Sequence, residues 1–454
     1  MRTIGLSLRD WVDEMANSSP SRLALLVFTS IVLVVTTLLS LPIATASGQR
    51  APLADALFTA TSAVCVTGLV TVETASYWST FGHVCIMLGA MIGGLGVMTL
   101  ASILGFAVSR RIGLTQRLLA ARETKTDRLG EVGSLIRAVV VASLSVEITL
   151  ALVLFPRLWD LEGNAGQAAW HAAFMAASIF NNAGFVILPD GLAPHIGDWW
   201  ICLPIAFGTA LGAIGFPVLL NLRRHFFHPR QWSLHTKLTI VTYVSLCVLT
   251  FIAIPAMEWT NPATFGQMKP SEKFLSALVL SVNSRSSGLE TVPIGHMRES
   301  TWFVQDALMF VGGGTASTGG GIKVTTLAVL VLAIVAEARG DRDIEAFRRR
   351  IPIETVRLAV AVAFIGATLV GIATLLLLSI TSLQLDSVLF EVISAFGTVG
   401  LSTGITPHLP DAGKYVLTVM MFTGRVGTMT LAAALALRSR RRVIRMPAER
   451  PAVG

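Results

Sequence analysis

The segment SAVCVTGL at residues 62–69 has three counterparts farther along the chain: SIFNNAGF at 178–185, VNSRSSGL at 282–289 and SAFGTVGL at 394–401. Each contains a glycine at the same position, and we call these the pivot glycines: Gly68, Gly184, Gly288 and Gly400. A large apolar residue stands ten positions before each pivot, and a second glycine-bearing apolar stretch follows each one. Agreement on both sides of the pivots indicates an internal repeat with a period of about 110 residues.

The composition places the chain in a membrane. Of its 454 residues, 53% are hydrophobic and only 14% are charged, whereas a soluble domain carries about a quarter charged residues. A surface this apolar needs lipid as its solvent, which excludes a soluble enzyme and a disordered or fibrous protein. The net charge of +8 therefore indicates how the chain is oriented in the membrane. We expect no nucleic-acid partner.

Each repeat has the same three parts. The first is an apolar run long enough to cross a bilayer as a helix, at 22–44, 133–156, 236–257 and 353–381. The second is a run too short to span, which predicts a re-entrant half-helix ending at the pivot, at 53–66, 168–182, 271–286 and 385–397. The third is another long apolar run, at 79–108, 199–222, 302–336 and 414–437.

We therefore predict an all-α polytopic membrane protein with eight transmembrane helices and four re-entrant pore helices around one pseudo-fourfold pore. The third repeat has a broken second helix. The expected divisions are a cytoplasmic N-terminus, four repeats and a basic cytoplasmic tail, over 1–20, 21–110, 111–230, 231–345, 346–440 and 441–454.

Lysine and arginine indicate the orientation. Most of the 35 basic residues lie between the repeats or at the two ends of the chain, as in RSRRR at 438–442. The positive-inside rule then places both termini in the cytoplasm, so the half-helices enter the membrane from outside. The basic segments are also expected to contact anionic membrane lipid.

The pivots predict a site for a monovalent cation. Non-helical backbone at membrane depth persists only where protein buries it or where it lines a water-filled path. Glycine allows the φ values that turn carbonyl oxygens toward a common axis, where they can replace the water shell of a cation. Helix packing is the alternative role for a transmembrane glycine, but it explains one such residue better than four in register.

A glycine-rich stretch interrupts the second long run of the third repeat. Its ten residues include six glycines, and a helix should break there; we call them the glycine loop: Gly312, Gly313, Gly314, Thr315, Ala316, Ser317, Thr318, Gly319, Gly320 and Gly321. A flexible loop below the pivots would act as a gate, whereas the alternative is a helix crossing of small residues. Nearby Lys323 is either a pore charge or a side chain that reaches the cytoplasmic interface.

Two arginines stand in apolar surroundings. Arg425 lies near the middle of the last apolar run, where an arginine costs at least about 3 kcal/mol. It is either a charge below the pivots that raises the barrier to cations, or the partner of Glu147 in a helix–helix salt bridge. Arg285, three residues before Gly288, is expected behind the pivot, bracing it against a carboxylate or carbonyl groups.

These motifs resemble the Trk/Ktr/HKT superfamily of potassium transporters, and most closely the bacterial Ktr transmembrane subunit. The resemblance covers nearly the whole chain and rests on VCVTGL, FNNAGF, NSRSSGL, FGTVGLSTG, GGGTASTGGGIKVTT and GRVGTMTL. It implies K+ uptake across the bacterial cell membrane, a homodimer, and control by a cytosolic RCK-domain subunit that binds nucleotide. It implies no organic cofactor and leaves sodium or proton coupling open.

The resemblance also implies a selectivity filter made of four pivot segments: Val66, Thr67 and Gly68; Asn182, Ala183 and Gly184; Ser286, Ser287 and Gly288; Thr398, Val399 and Gly400. Potassium bound at these residues is the only metal expected. Glycine at the first pivot, here Gly68, is the residue that the resemblance associates with a preference for potassium. The third segment reads RSSGL where many relatives have RTAGF, and the glycine loop lacks a proline common after its first glycines. These departures leave the fine selectivity and the shape of the gate open.

Two other functions are weighed against K+ transport. A secondary transporter for an organic solute would also use broken helices, but that class has two inverted repeats rather than four parallel ones. An intramembrane enzyme would need a catalytic motif, and HExxH does not occur in the sequence. The chain is therefore expected not to be an enzyme.

Overall fold

The protein is described by a computed structural model that covers residues 20–96 and 132–427. Outside these ranges lie the expected basic tail, most of the expected N-terminal segment and parts of the expected first, second and fourth repeats. The first half of the described chain contains these helices: α1 (Pro20–Leu39), α2 (Leu53–Val64), α3 (Thr74–Tyr77), α4 (Thr80–Gly94), α5 (Val132–Glu162), α6 (Ala165–Asn181), α7 (Trp199–Ile214) and α8 (Phe216–His225). The second half contains α9 (Leu234–Glu258), α10 (Pro270–Asn283), α11 (Glu299–Phe310), α12 (Val324–Arg339), α13 (Ile353–Ile380), α14 (Leu385–Gly397) and α15 (Asp411–Phe422).

Three long helices are suited to cross a membrane. Within the described ranges α5, α9 and α13 are long and apolar enough to span, and the bent pair α7–α8 makes a fourth candidate. Their outward faces carry large exposed apolar side chains such as Leu152, Ile252 and Phe364. Exposed apolar surface on this scale matches lipid contact, and the chain is an integral membrane protein.

Four shorter helices lie inside the bundle. Helices α2, α6, α10 and α14 have 12 to 17 residues, and each packs against the long helix that precedes it. Each ends one to three positions before its pivot segment, as predicted from the sequence. α6 and α14 end because the next residues, Asn182 and Thr398, adopt left-handed backbone.

The second long run of the second repeat is broken, which the sequence analysis did not predict. Helices α7 and α8 meet at 98°, and Gly215 between them has φ 97°. The amide of Phe216 donates to the carbonyl oxygen of Ala316 at 3.2 Å, so the glycine loop binds the backbone at the break. A methyl group on Gly215 would lie 2.7 Å from the carbonyl oxygen of Thr315.

The third repeat is interrupted between α11 and α12, as the glycine content predicts. After α12 the chain forms a hairpin of two antiparallel strands, β1 (Ile344–Ala346) and β2 (Arg349–Ile351). The expected boundary between repeats at residue 345 falls inside β1. Ala346 and Ile351 pack with α9, α12 and α13 in a small apolar cluster, so this connection is folded onto the bundle.

Candidate functional site

The four pivot glycines meet at one place and contact one another in the order of the repeats. A methyl group built on Gly68 would lie 2.8 Å from the Cα of Gly184, and one on Gly184 would lie 2.9 Å from the nitrogen of Gly288. One on Gly288 would lie 2.6 Å from the oxygen of Gly400, and one on Gly400 would lie 3.1 Å from the Cα of Gly68. These contacts close a ring in which no position has room for a side chain.

Main-chain oxygens lie at the contacts of this ring. The oxygen of Ala183 lies 2.7 Å from a methyl group built on Gly68, and the oxygen of Thr67 is the nearest atom to one built on Gly400. All residues of the pivot segments are buried except Gly288, which is partly exposed. The structure therefore brings the twelve predicted residues together and offers backbone carbonyl groups rather than carboxylates at the centre.

Three of the four segments share an unusual backbone. Their pivots have positive φ values of 93°, 75° and 92°, and the residue two positions earlier is also left-handed, with φ 57° at Val66, 61° at Asn182 and 48° at Thr398. Such a conformation costs a non-glycine residue about 1–3 kcal/mol, so the surrounding structure must impose it. The third segment differs, since neither Ser286 nor Gly288 lies in this region.

A serine six positions before the pivot supports two of these segments directly. Ser62 Oγ accepts the N–H of Gly68 at 3.0 Å, and Ser394 Oγ accepts the N–H of Gly400 at 3.1 Å. Because these bonds fix the amide of the pivot itself, they hold the turn that follows the short helix. These bonds were not predicted from the sequence, although a serine stands at this position in three of the four segments.

The other two segments use related contacts. Ser178 Oγ donates to the oxygen of Phe185 at 2.7 Å. In the third repeat a valine replaces the serine, and Asn283 Nδ2 donates instead to the oxygen of Leu289 at 2.7 Å. The third segment is therefore supported from a different residue, in agreement with its different backbone.

Arg285 lies behind the third segment and is fully buried. Its guanidinium donates to the oxygens of Tyr243 and Ser281, both at 3.1 Å, and to Cys247 Sγ at 2.6 Å. It also lies 4.2 Å from the centre of the Tyr243 ring, a cation–π contact. The sequence predicts a brace against a carboxylate or carbonyl groups, and the observed contacts are to carbonyl groups, a sulfur atom and an aromatic ring.

Asn182 connects the second segment to its neighbours. With the amide oriented so that its nitrogen faces carbonyl groups, that nitrogen donates to the oxygens of Thr209 at 3.1 Å and Ile179 at 3.0 Å. The amide oxygen then accepts from the hydroxyls of Ser286 at 3.1 Å and Thr318 at 3.2 Å. One side chain thus links the second segment to the third and to the glycine loop.

The glycine loop is packed against the bundle directly beside the pivot segments. All ten of its residues are buried except Thr315, which is partly exposed. The amides of Gly314 and Thr318 donate to the oxygens of Ala213 at 2.7 Å and Gly212 at 3.2 Å, at the end of α7. The loop predicted to be flexible is therefore fixed by backbone bonds in this structure.

The loop is also bonded to the fourth pivot segment. The N–H of Gly320 donates to Thr398 Oγ1 at 2.9 Å, and a methyl group on Gly320 would overlap this side chain. Lys323 Nζ donates to the oxygens of Gly319 at 2.6 Å and Gly320 at 3.3 Å. The ammonium group thus stabilises the last turn of the loop. The sequence alone does not indicate this role, because it is equally compatible with a pore charge or with a side chain that reaches the cytoplasmic interface.

Arg425 lies in a π-helical turn after α15 and is 2% exposed. Its guanidinium donates to the oxygen of Thr318 in the glycine loop and to the oxygen of Gly93 in α4, the latter at 2.5 Å. Glu147 accepts a bond from Asn181 at 2.7 Å, and within the described ranges no ion pair joins it to Arg425. The salt bridge considered from the sequence is therefore wrong, and Arg425 bridges the loop and α4.

Two carboxyl groups lie near the pivots of the third and fourth repeats: Glu290 follows Gly288, and Glu391 belongs to α14, which precedes Gly400. Glu290 Oε1 accepts the N–H of Ser402 at 3.0 Å, and Glu391 Oε1 accepts the hydroxyl of the same serine at 2.6 Å.

Comparisons with known proteins agree on one family. The model of the TrkH family, described as a cation transport protein, matches residues 14–442. The Ktr system potassium uptake protein B of Bacillus subtilis is 36% identical over 94% of this chain and 95% of its own length. The protein of the same name from Vibrio alginolyticus is 33% identical, covering 93% and 92%.

Two further comparisons extend this. The potassium/sodium uptake protein NtpJ of Enterococcus hirae is 32% identical over 93% of this chain and 94% of its own length. The crystal structure of the potassium transporter TrkH from Vibrio parahaemolyticus aligns with a TM-score of 0.68 over 90% of this chain and 84% of that chain, at 19% identity. This last similarity concerns the fold alone.

Proposed function

Because the chain belongs to the TrkH family of cation transport proteins, we propose that it takes up K+ across the bacterial plasma membrane through the ring of pivot glycines. The observation that carries this proposal is the ring itself, closed by contacts between successive pivots. Relatives named for potassium uptake and for potassium/sodium uptake support it. Nothing in their names favours an organic solute.

The proposed selectivity filter consists of the four pivot segments. Four short helices end at these segments, so the negative ends of their dipoles face the ring and favour a cation. Backbone oxygens such as those of Thr67 and Ala183 replace the water shell of the ion. The proposal includes the full arrangement of four repeats, each with two membrane helices and one pore helix, around this axis.

The proposed gate consists of the glycine loop and Arg425. The loop is bonded to the second and fourth segments, and the guanidinium is bonded to the loop and to α4. A cation leaving the ring on the loop side would meet the buried backbone of the glycine loop and the fixed positive charge of Arg425. Together they raise the energy barrier to its passage. Transport then requires the loop to move away from Thr398.

The proposed assembly is a homodimer with both termini in the cytoplasm and a cytosolic RCK-domain subunit that binds nucleotide. The concentration of arginine and lysine between the repeats supports the orientation. Relatives that belong to a Ktr system support a partner subunit. Anionic lipid contacts the same basic segments, and Na+ is a candidate coupling or activating ion because of the potassium/sodium relative.

The proposal is tested by expressing the chain in bacteria that lack their own K+ uptake systems, alone and with a cognate RCK subunit. We expect growth at limiting K+ and uptake of labelled rubidium that is inhibited by K+, less strongly by Na+ and not by amino acids or sugars. Correctly inserted protein that supports neither growth nor rubidium uptake with the subunit present would refute the proposal.

A further inference from the structure

Glu290 connects two neighbouring pivot segments on the side where the chain leaves them. It stands two residues after Gly288, and it accepts the backbone N–H of Ser402, which stands two residues after Gly400. The two glycines are themselves in contact. The bond therefore joins equivalent points of the third and fourth segments immediately beyond the ring.

This carboxyl group has no equivalent in the other repeats. The residues at the same distance from the other pivots are Val70, Val186 and Ser402, none of which carries an acid. The ring is thus crosslinked by a glutamate at only one of its four junctions, within the described ranges. That junction involves the third segment, which lacks both the left-handed backbone and the serine brace of its counterparts.

The surroundings of Ser402 hold the donor of this bond in place. Its hydroxyl donates to Glu391 at 2.6 Å, and the next amide, that of Thr403, donates to the same carboxylate at 2.9 Å. Thr406 Oγ1 donates to the other oxygen of Glu391 at 2.7 Å. The backbone after the fourth pivot is therefore fixed by Glu391, and Glu290 attaches the third segment to this fixed support.

We propose that Glu290 is a positioning residue that sets the distance between the third and fourth segments and thereby the preference for K+ over Na+. The inference rests on the proposed function, because it concerns the width of the same cation site. Na+ is smaller than K+, so a ring that can relax at one junction should accommodate Na+ better. The bond, rather than the charge of the carboxyl group, carries this effect.

Two variants separate the bond from the charge. Glu290→Gln keeps an oxygen at the same position and removes the charge. Glu290→Asp keeps the charge but shortens the side chain by about 1.5 Å, which stretches the 3.0 Å contact beyond hydrogen-bond reach. Glu73→Asp is the matched control, because Glu73 is an exposed acid that contacts Ser76 Oγ at 2.6 Å.

The measurement is rubidium uptake by cells carrying the full chain and its subunit, with KM, maximal rate and inhibition by Na+ determined for each variant. We expect Glu290→Asp to lower the K+ over Na+ preference about fivefold, mainly through KM. Glu290→Gln and Glu73→Asp should retain the wild-type preference. Inserted protein and its thermal midpoint in detergent are measured in parallel, and Glu290→Ala serves as a second variant without the bond.

The opposite result overturns the inference. If Glu290→Gln loses the preference while Glu290→Asp keeps it, the charge acts directly and the positioning role is wrong. If all variants match the wild type, the bond does not control selectivity. A wild-type chain that moves no K+ would instead refute the proposed function, which these two outcomes leave intact.

Discussion

Replacing Thr398 by valine should open the proposed gate without disturbing the ring. The hydroxyl of this threonine accepts the N–H of Gly320 at 2.9 Å, and both residues are buried. Valine has the same shape but offers no acceptor. Val66 occupies the equivalent position of the first segment with φ 57°, so valine tolerates the backbone that Thr398 requires.

The size of the effect follows from the buried amide. In Thr398→Val the N–H of Gly320 stays buried without a partner when the loop is docked, which costs about 1–3 kcal/mol. The same amide finds water or another acceptor once the loop has moved, so the cost falls on the closed state alone. The ratio of open to closed protein should rise roughly 5- to 150-fold, and maximal rubidium uptake should increase.

Thr67→Val is the control for this experiment. Thr67 also belongs to a pivot segment and is buried, but its hydroxyl has no hydrogen-bond partner in the described structure. Removing that hydroxyl should leave uptake unchanged. Equal uptake by wild type and Thr398→Val, with equal amounts of inserted protein, would show that the bond does not hold the gate, as would an identical increase in both variants.

Two further substitutions test the charge of Arg425 and the packing of the pivot glycines. Arg425→Ala should raise K+ flux severalfold, since it removes the positive charge and the bridge between the loop and α4; unchanged flux combined with a lowered thermal midpoint would assign the arginine a purely structural role. Gly68→Ala should abolish uptake, because its φ of 93° disfavours alanine and the new methyl group would lie 2.7 Å from the oxygen of Ala183. Gly48→Ala, at φ 70° with nothing within 4 Å, should cost only about 1 kcal/mol of stability and retain uptake.

The helix pattern could be predicted because the bilayer fixes the length of its elements. A run of about 20 apolar residues can span the membrane and one of 12 to 15 cannot. The lengths of the apolar runs therefore predicted that α5 and α13 span and that α6 and α14 do not. The break at Gly215 escaped prediction because glycine is common inside membrane helices. Its cause is a contact of Phe216 with Ala316, far away in the sequence.

The candidate site was predicted only in part, because its contacts also join residues that are far apart in the sequence. The pivots share a local pattern, whereas the bond from Gly320 to Thr398 joins residues 78 positions apart, and no spacing rule indicates it. Arg425 shows the limit most clearly. The sequence contains a buried arginine and a buried acid, Glu147, and pairing them is the simplest solution, but the structure satisfies each with different polar groups.

The third repeat differs from the others in three features of its pivot segment. Its pivot segment lacks the left-handed backbone, Arg285 is buried behind it and Glu290 ties it to the fourth segment. The same repeat supplies the glycine loop. One such loop already contacts the second and fourth segments, so the ring has no room for four copies of it. In the proposed function the four pivot segments form the cation site, and the divergent third repeat supplies the one loop that closes it. A gate built this way acts on the ring through Asn182 and Thr398, so ion occupancy and gate position should influence each other reciprocally.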